Sequence, residues 1–195
     1  MISESISKHS LIAPVNFYQT FLSSDDCESI SSAYKDESKI DNMGQSQDNL
    51  YNTERTGWFA HRNPTTALIW EKIAQKFSVC YEEEMQHDWI DSVELDLFES
   101  WIAESQDGAI VEPHIHGNSS FVWSFVFYAK IPNEKSSLNF MAFGSKTIKV
   151  FVKEGDLLLF PSNVAHFSTD TIKGRMIYSG NFLVRCNLKK DKNNV

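Results

Sequence analysis

Apolar residues in the first half of the chain recur at the spacing of a helix. Between residues 65 and 86 they return every three or four positions, which is the period of one buried helix face. A shorter helix is predicted over residues 25–36, because Ser23-Ser24-Asp25-Asp26 offers an N-cap hydroxyl and carboxylates where the helix dipole favours negative charge. The loose alternation within residues 13–22 predicts a strand before that helix.

From Asp91 onward the pattern takes the period of a strand. Val93, Leu95 and Leu97 occupy every second position, as one face of a strand requires. Turn signals at Gln106-Asp107-Gly108 and Glu154-Gly155-Asp156 interrupt the later apolar runs. Further strands are predicted over residues 99–104, 109–116, 121–130, 137–143, 147–152, 156–160, 165–169 and 175–185. Helices followed by many short strands predict an α+β fold with a sheet-rich sandwich or barrel.

Residues 37–63 interrupt both patterns. They are rich in Asn, Gln, Ser and Asp and contain Trp58 and Phe59. We expect an irregular excursion here. A loop of this length in a compact domain is often functional, commonly as a lid or a segment that faces the substrate.

Composition narrows the class of protein. The chain has 195 residues, of which 42% are apolar, enough for one domain with its own core. Its formal net charge is −8 and it has no Lys/Arg cluster, so general binding to nucleic acid is not expected. No apolar run approaches the roughly 20 residues that span a bilayer, and we expect no membrane partner.

The cysteines and the N-terminus predict the compartment. Cys27, Cys80 and Cys186 lie far apart and form no CxxC pair, which argues against a disulfide framework or a zinc ribbon. Met1-Ile-Ser-Glu-Ser lacks the basic start and the apolar stretch of a signal peptide. A cytoplasmic location is therefore expected.

Three histidines form the candidate chemistry. His114 and His116 are two residues apart, so on a strand both imidazoles point to the same face and can reach one metal ion. A third ligand must come from a neighbouring strand, and His166 is the candidate because it follows the apolar run of Asp156–Phe160 and a Pro-Ser-Asn turn. A lone histidine is most often a packed or surface residue, but this combination favours a metal site.

Arg175 begins an otherwise apolar predicted strand nine residues after His166. A buried guanidinium is costly unless it is paired, and its planar fork matches a carboxylate. Ser179 lies four residues further on, hence on the same strand face. The two side chains would suit the far carboxylate of a bound 2-oxoglutarate, although Arg175 could equally pair with an Asp or a Glu of the chain.

Taken in order, these motifs resemble the 2-oxoglutarate/Fe(II)-dependent oxygenase superfamily, in its prolyl-hydroxylase-like part. The resemblance is strongest to a 2OG-Fe(II) oxygenase group common in marine bacteria and phages, and it covers about residues 93–183. The motifs that carry it are Ser100-Trp101, Gly108, His114-Ile115-His116, Ser124 through Tyr128, Gly155-Asp156, Phe160-Pro161, His166, Arg175 and Asn181.

The resemblance implies a double-stranded β-helix, the cupin-like jelly-roll, with N-terminal helices packed against the sheet. It implies a single domain over residues 1–195, with a β-helix core at about 91–186 and a helical part at about 13–88.

It also implies a site and a reaction. Fe(II) would be held by His114, the residue at 116 and His166. The co-substrate 2-oxoglutarate would bind through Arg175, Ser179, Tyr128 and Asn181. The reaction implied is hydroxylation of an unactivated C–H bond in a small-molecule or peptide substrate, with release of succinate and CO2.

The metal motif departs from the usual pattern at one position. The superfamily usually has His-x-Asp or His-x-Glu, whereas His116 stands in the carboxylate's place here. Either all three histidines bind the metal, or one of the pair binds together with a nearby acid such as Glu112. Some other branches have a Ser two residues after the Arg, and this chain has Ile177 there.

Two other interpretations remain open at the level of sequence. The His-x-His and Gly…Pro…His spacings also resemble cupin motifs, so a cupin-type metal enzyme or sugar-binding module that does not use 2-oxoglutarate is the alternative. The other is a binding protein that kept the fold and lost the metal. The substrate is not predicted, and a homodimer is expected only because homodimers are the commonest assembly.

Overall fold

The helices and strands of the chain alternate early and give way to strands alone. The computed structural model describes residues 7–12, 15–41, 46–47, 50–82, 90–117, 121–132, 136–141, 146–169 and 172–188. The helices are α1 (Ser24–Asp36) and α2 (Pro64–Glu82), with a short 3₁₀ helix at Ala60–Arg62. The strands are β1 (Ser7–Ile12), β2 (Val15–Phe21), β3 (Lys39–Asp41), β4 (Ser46–Gln47), β5 (Leu50–Thr56), β6 (Ile90–His114), β7 (Val122–Lys130), β8 (Ser137–Met141), β9 (Thr147–Phe151), β10 (Asp156–Pro161), β11 (His166–Ser168) and β12 (Met176–Leu188).

The strands form one antiparallel sheet that curls on itself. Its order is β1-β2-β10-β7-β12-β6-β11-β8-β9, with β5 also paired to β6 and with β3 and β4 paired to β5. Strand β6 makes the curl possible because its first part pairs with β12 and its last part with β11. The architecture is an α+β jelly-roll, as expected.

Alternate residues of the central strands supply two separate apolar clusters. On β7, Phe125 and Phe127 pack in the cluster that contains the buried faces of α1 and α2. Val126 and Tyr128 belong to the other cluster, which includes Phe140 and is lined by the inner face of the curl. Both faces of these strands are therefore buried, which explains their nearly continuous apolar sequence.

The predicted helices are confirmed, with small differences at their ends. Helix α1 begins with a capping box in which Ser23 and Asp26 bond each other's backbone N–H groups, and Asp26 also pairs with Lys72 of α2. Helix α2 is described as far as Glu82, and the predicted last residues, 83–86, lie outside the described residues. Neither described helix is long and apolar enough to cross a membrane.

The expectation of an irregular excursion over residues 37–63 was wrong. Part of this segment forms β3, β4 and β5, and β5 extends the sheet by pairing with β6. The sequence pattern missed it because the buried positions of β5 are polar: Thr53, Arg55 and Thr56 are each at most 3% exposed. Polarity therefore did not report exposure in this strand.

The predicted turn at Gln106-Asp107-Gly108 does not end a strand. Strand β6 continues through it to His114, and Gly108 takes a positive φ of 71°, a conformation that glycine adopts without steric cost. The irregularity separates the part of β6 paired with β12, which reaches Glu104, from the part paired with β11, which begins at Val111. The glycine thus marks a bend within a strand.

Candidate metal centre

The sheet brings the three predicted histidines together. His114 is the last residue of β6, His116 follows two residues later, and His166 opens β11. Because β11 pairs with β6 in a register that places His166 opposite His114, the two imidazoles lie side by side. One ligand atom from each of the three residues can be chosen such that all lie within 4.8 Å of one another.

The backbone fixes which ring nitrogen is free. Nδ1 of His114 lies 2.6 Å from the carbonyl oxygen of Glu112, and Nδ1 of His166 lies 3.0 Å from that of Val164. A carbonyl can only accept, so each Nδ1 carries the proton and donates it. Nε2 of each ring then presents a lone pair, and Nε2 of His114 lies 3.2 Å from Nε2 of His116.

All three imidazoles are held in the neutral form that binds metals. Burial lowers the pKa of His114, and burial together with the charge on His114 lowers the pKa of His116 to about 3. The pKa of His166, which is 3% exposed, lies well below the ordinary value because burial disfavours its charged form. Near neutral pH the cluster therefore offers three uncharged nitrogen ligands, a set that suits iron, zinc, copper or nickel.

The metal-ligand geometry includes both members of the His-x-His pair. Glu112, the alternative ligand, is exposed and is not part of the cluster among the described residues. The cluster is packed from behind by apolar rings: Phe160 lies 4.7 Å and Phe140 6.4 Å from His166 between ring centroids. The site therefore lies on the inner face of the curled sheet.

Arg175 is a buried cation with unused hydrogen-bonding capacity. It is 3% exposed, one Nη donates to Oγ of Ser168 at 2.9 Å, and Nε has no partner. Among the described residues no carboxylate pairs with it. Burial lowers its pKa, and Tyr128 acts in the opposite direction. A buried guanidinium without a carboxylate partner costs roughly several kcal/mol, a cost that a bound anion would offset.

Ser168 links this guanidinium to the histidine cluster. It is two residues after His166 on β11, and its hydroxyl also donates to the carbonyl of Ser137 at 2.8 Å. Two strand residues span about 7 Å, so an anionic group bound at Arg175 lies roughly that far from the metal ligands. Sequence reasoning missed Ser168, although its spacing of two from His166 is the signal that places both on one face.

The other predicted co-substrate residues lie on the same inner face with different partners. Burial raises the pKa of Tyr128 to about 12, partly offset by Arg175, so its hydroxyl keeps its proton. Ser179 donates to the carbonyl of Phe125 at 2.7 Å.

Both polar atoms of the Asn181 side chain already have hydrogen-bond partners within the protein. Its carbonyl oxygen accepts from Ser124 at 2.6 Å, and its amide nitrogen donates to Glu99. Ser124 also lies 3.0 Å from Ser162, whose backbone carbonyl accepts the His116 N–H at 2.9 Å. Asn181 therefore connects three strands and supports the backbone of His116.

Trp101 is a site residue to which the sequence assigned no role. Its ring lies 5.8 Å from that of His116 between centroids, and edge to face with Trp58 at 4.9 Å. Arg55 covers Trp58 at 4.0 Å. The indole N–H of Trp101 has no hydrogen-bond partner among the described residues, and a buried N–H left unpaired costs about 1–3 kcal/mol.

Comparison with known proteins identifies the fold. No family model matches the chain, and no curated protein sequence matches it. Among solved structures, a prolyl-4-hydroxylase from Pseudomonas putida is 13% identical, with a TM-score of 0.60 and 93% of each chain covered. HygX from Streptomyces hygroscopicus, solved with nickel, 2-oxoglutarate and hygromycin B, is 14% identical, with a TM-score of 0.61 and 86% of this chain and 82% of that one covered.

A third similar structure has a peptide bound. It is a prolyl hydroxylase from Trichoplax adhaerens in complex with a fragment of the hypoxia inducible factor oxygen degradation domain. It is 12% identical, with a TM-score of 0.57, and the match covers 93% of this chain and 84% of that one. The chain thus has the double-stranded β-helix fold of these oxygenases, which confirms the fold that the sequence resemblance implied.

Proposed function

We propose that the protein is an Fe(II)- and 2-oxoglutarate-dependent dioxygenase that hydroxylates an unactivated C–H bond. One observation carries the proposal: three neutral imidazoles converge on the inner face that also holds Arg175, a buried cation with no carboxylate partner among the described residues. A metal-binding protein of the same fold that used no keto acid would have no need of that guanidinium. The prolyl hydroxylases and HygX support the same class of reaction by their fold.

His114, His116 and His166 are the residues that would hold the iron. The rings of His114 and His166 are fixed in orientation and tautomer because Nδ1 of each donates to a backbone carbonyl. Such contacts also raise the basicity of the ligating nitrogen. Three uncharged ligands leave the charge of Fe(II) unneutralised by the protein. A dianionic co-substrate would neutralise the charge of the iron, so that only the positive charge of Arg175 is left, which favours binding of 2-oxoglutarate in this buried space.

Arg175 is the residue that would bind the far carboxylate of 2-oxoglutarate. Its free Nε and the fork geometry of the guanidinium allow a bidentate, charge-assisted contact. The protonated hydroxyl of Tyr128 is an additional donor, and Ser179 lines the same face. Arg175 contacts Ser168, which lies two strand residues, or roughly 7 Å, from His166. This distance suits a five-carbon diacid. We include Asn181 in this subsite as a supporting residue.

When bound, the iron and the keto acid supply the oxidising chemistry, in which 2-oxoglutarate becomes succinate and CO2. The chain's own part is to orient both groups and to exclude water. The inner apolar cluster, with Phe140 and Phe160 against His166, provides that dry wall. The substrate is proposed to be a small molecule or a peptide, because similar structures contain hygromycin B in one case and a peptide fragment in another.

The reaction is tested by succinate formation. Protein loaded with Fe(II) and given 2-oxoglutarate and oxygen is expected to form succinate and CO2 in equal amounts, slowly when no substrate is present. Succinate is measured by mass spectrometry, with ¹⁸O₂ as the oxygen source so that one labelled oxygen atom enters each succinate. The matched control is His114→Ala, which is expected to form none.

Two negative results have different meanings. Wild-type protein that binds both iron and 2-oxoglutarate yet forms no more succinate than the control contradicts the reaction. Protein that binds iron but not 2-oxoglutarate contradicts the cofactor pair itself and favours the cupin-type alternative.

A further inference from the structure

Trp101 places a buried hydrogen-bond donor next to the metal ligands. The side chain is 6% exposed, and its ring centroid lies 5.8 Å from that of His116 and 4.9 Å from that of Trp58. Its Nε1 is fully inaccessible to solvent and has no partner among the described residues. Indole nitrogen is a donor only, so its partner must be an acceptor that enters the interior of the sheet.

The position of Trp101 on the sheet indicates which acceptor that is. Trp101 of β6 is paired with Ser179 of β12, so the two side chains lie on the same face of the sheet, which is the inner face. Ser179 lies four residues after Arg175, about 13 Å along an extended chain. The long side chains of Arg175 and Trp101 can cover part of this distance from either end, which leaves room for a five-carbon diacid between their polar groups.

We propose that the indole N–H of Trp101 donates a hydrogen bond to the carboxylate of 2-oxoglutarate that lies at the metal end, while Arg175 holds the other carboxylate. The inference rests on the proposed function and adds a co-substrate ligand to it. A solvent-inaccessible donor favours the small ligand that is enclosed with the metal over a substrate that approaches from outside. The negative charge of the carboxylate makes this contact stronger than a bond between neutral groups.

Neighbouring residues fix the indole in position. Trp58 meets Trp101 edge to face, and the guanidinium of Arg55 covers the Trp58 ring at 4.0 Å. A donor that is held in place before the ligand arrives loses little conformational freedom on binding. The stack therefore positions the Trp101 N–H.

The test compares Trp101→Phe with Trp70→Phe as the matched control, since the ring of Trp70 packs against Phe125 and Phe182 in the other apolar cluster. Both variants keep an aromatic ring, but only the first removes the donor beside His116. The probes are Co(II), then 2-oxoglutarate, and then 2-oxobutyrate, a keto acid that has the metal-end carboxylate but not the far one. Binding of Co(II) is followed by its visible spectrum, binding of the keto acids by calorimetry on the Co(II)-loaded protein, and folding by thermal melts without ligand.

We expect Trp101→Phe to lower the affinity for both keto acids by the same factor, roughly ten- to a hundredfold, because one charge-assisted hydrogen bond is lost. Affinity for Co(II) should stay within about twofold, and Trp70→Phe should bind both keto acids within about threefold of wild type. Unchanged keto-acid binding in Trp101→Phe overturns the inference. So does a parallel loss of Co(II) binding, which would assign Trp101 to the packing of His116. Wild-type protein that binds neither keto acid overturns the proposed function instead.

Discussion

Replacing His166 with alanine is expected to lower the affinity for Fe(II) by at least about 100-fold, because even removal of a residue that only supports a metal ligand costs 10- to 100-fold. His166 is the most buried of the three candidate ligands, and its Nδ1 contact to Val164 leaves Nε2 available for a metal. Binding is measured by anaerobic titration with metal analysis of the filtered protein. His114→Ala is expected to show the same loss with a smaller effect on packing, since His114 is only half-buried.

His61 supplies the control for that experiment. It is also half-buried, but its Nδ1 contacts Oγ of Ser100 at 3.1 Å and it is not part of the cluster. His61→Ala should therefore bind Fe(II) like the wild type. If His166→Ala retains wild-type affinity while circular dichroism shows a folded protein, the three histidines are packing residues and the metal centre is refuted.

Replacing Arg175 with methionine is expected to change stability and co-substrate affinity in opposite directions. Affinity for 2-oxoglutarate should fall by about 100-fold or more, because a bidentate contact to a carboxylate is lost. Without ligand, the free energy of unfolding should stay the same or rise by about 1–4 kcal/mol, because a buried cation lacking a carboxylate partner is replaced by an apolar side chain of similar length.

The comparison is Arg185→Met, in strand β12, which follows Arg175 directly. Arg185 is exposed and pairs with Asp96 at 2.7 Å, a contact worth at most about 1 kcal/mol at the surface. The Arg185→Met substitution should leave the affinity for 2-oxoglutarate unchanged. Calorimetry gives the affinities and urea denaturation gives the free energies of unfolding. A destabilised Arg175→Met that still binds 2-oxoglutarate would show that Arg175 serves the fold and that the co-substrate binds elsewhere.

Sequence patterns predicted most of the fold where burial and hydrophobicity agree. Helix α2 follows the period of its apolar residues, and β7 and β10 coincide with continuous apolar runs of the sequence. The pairing of His114 with His166 could also be foreseen, since a His-x-His on one strand needs a third ligand from a neighbour. In each case the residue type and the local period point to the same structure.

The sequence did not predict the segments in which polar residues are buried, or those in which a residue typical of turns lies inside a strand. Strand β5 buries Arg55 and Thr53, so its sequence looked like a loop. Gly108 bends β6 without ending it. Trp101 lies in a strand that is buried on both faces, where alternation carries no information about direction. The single-domain organisation, cytoplasmic location, homodimer and lack of nucleic-acid binding stay predictions.

Anaerobic titration of the metal-free protein with Fe(II) and 2-oxoglutarate tests the central claim most directly. A keto acid chelated to Fe(II) gives a visible charge-transfer band that neither component gives alone. We expect this band to appear only when both are present, to be absent in His166→Ala and to be weakened in Arg175→Met. A protein that binds Fe(II) but forms no band at saturating 2-oxoglutarate would contradict the proposed cofactor pair.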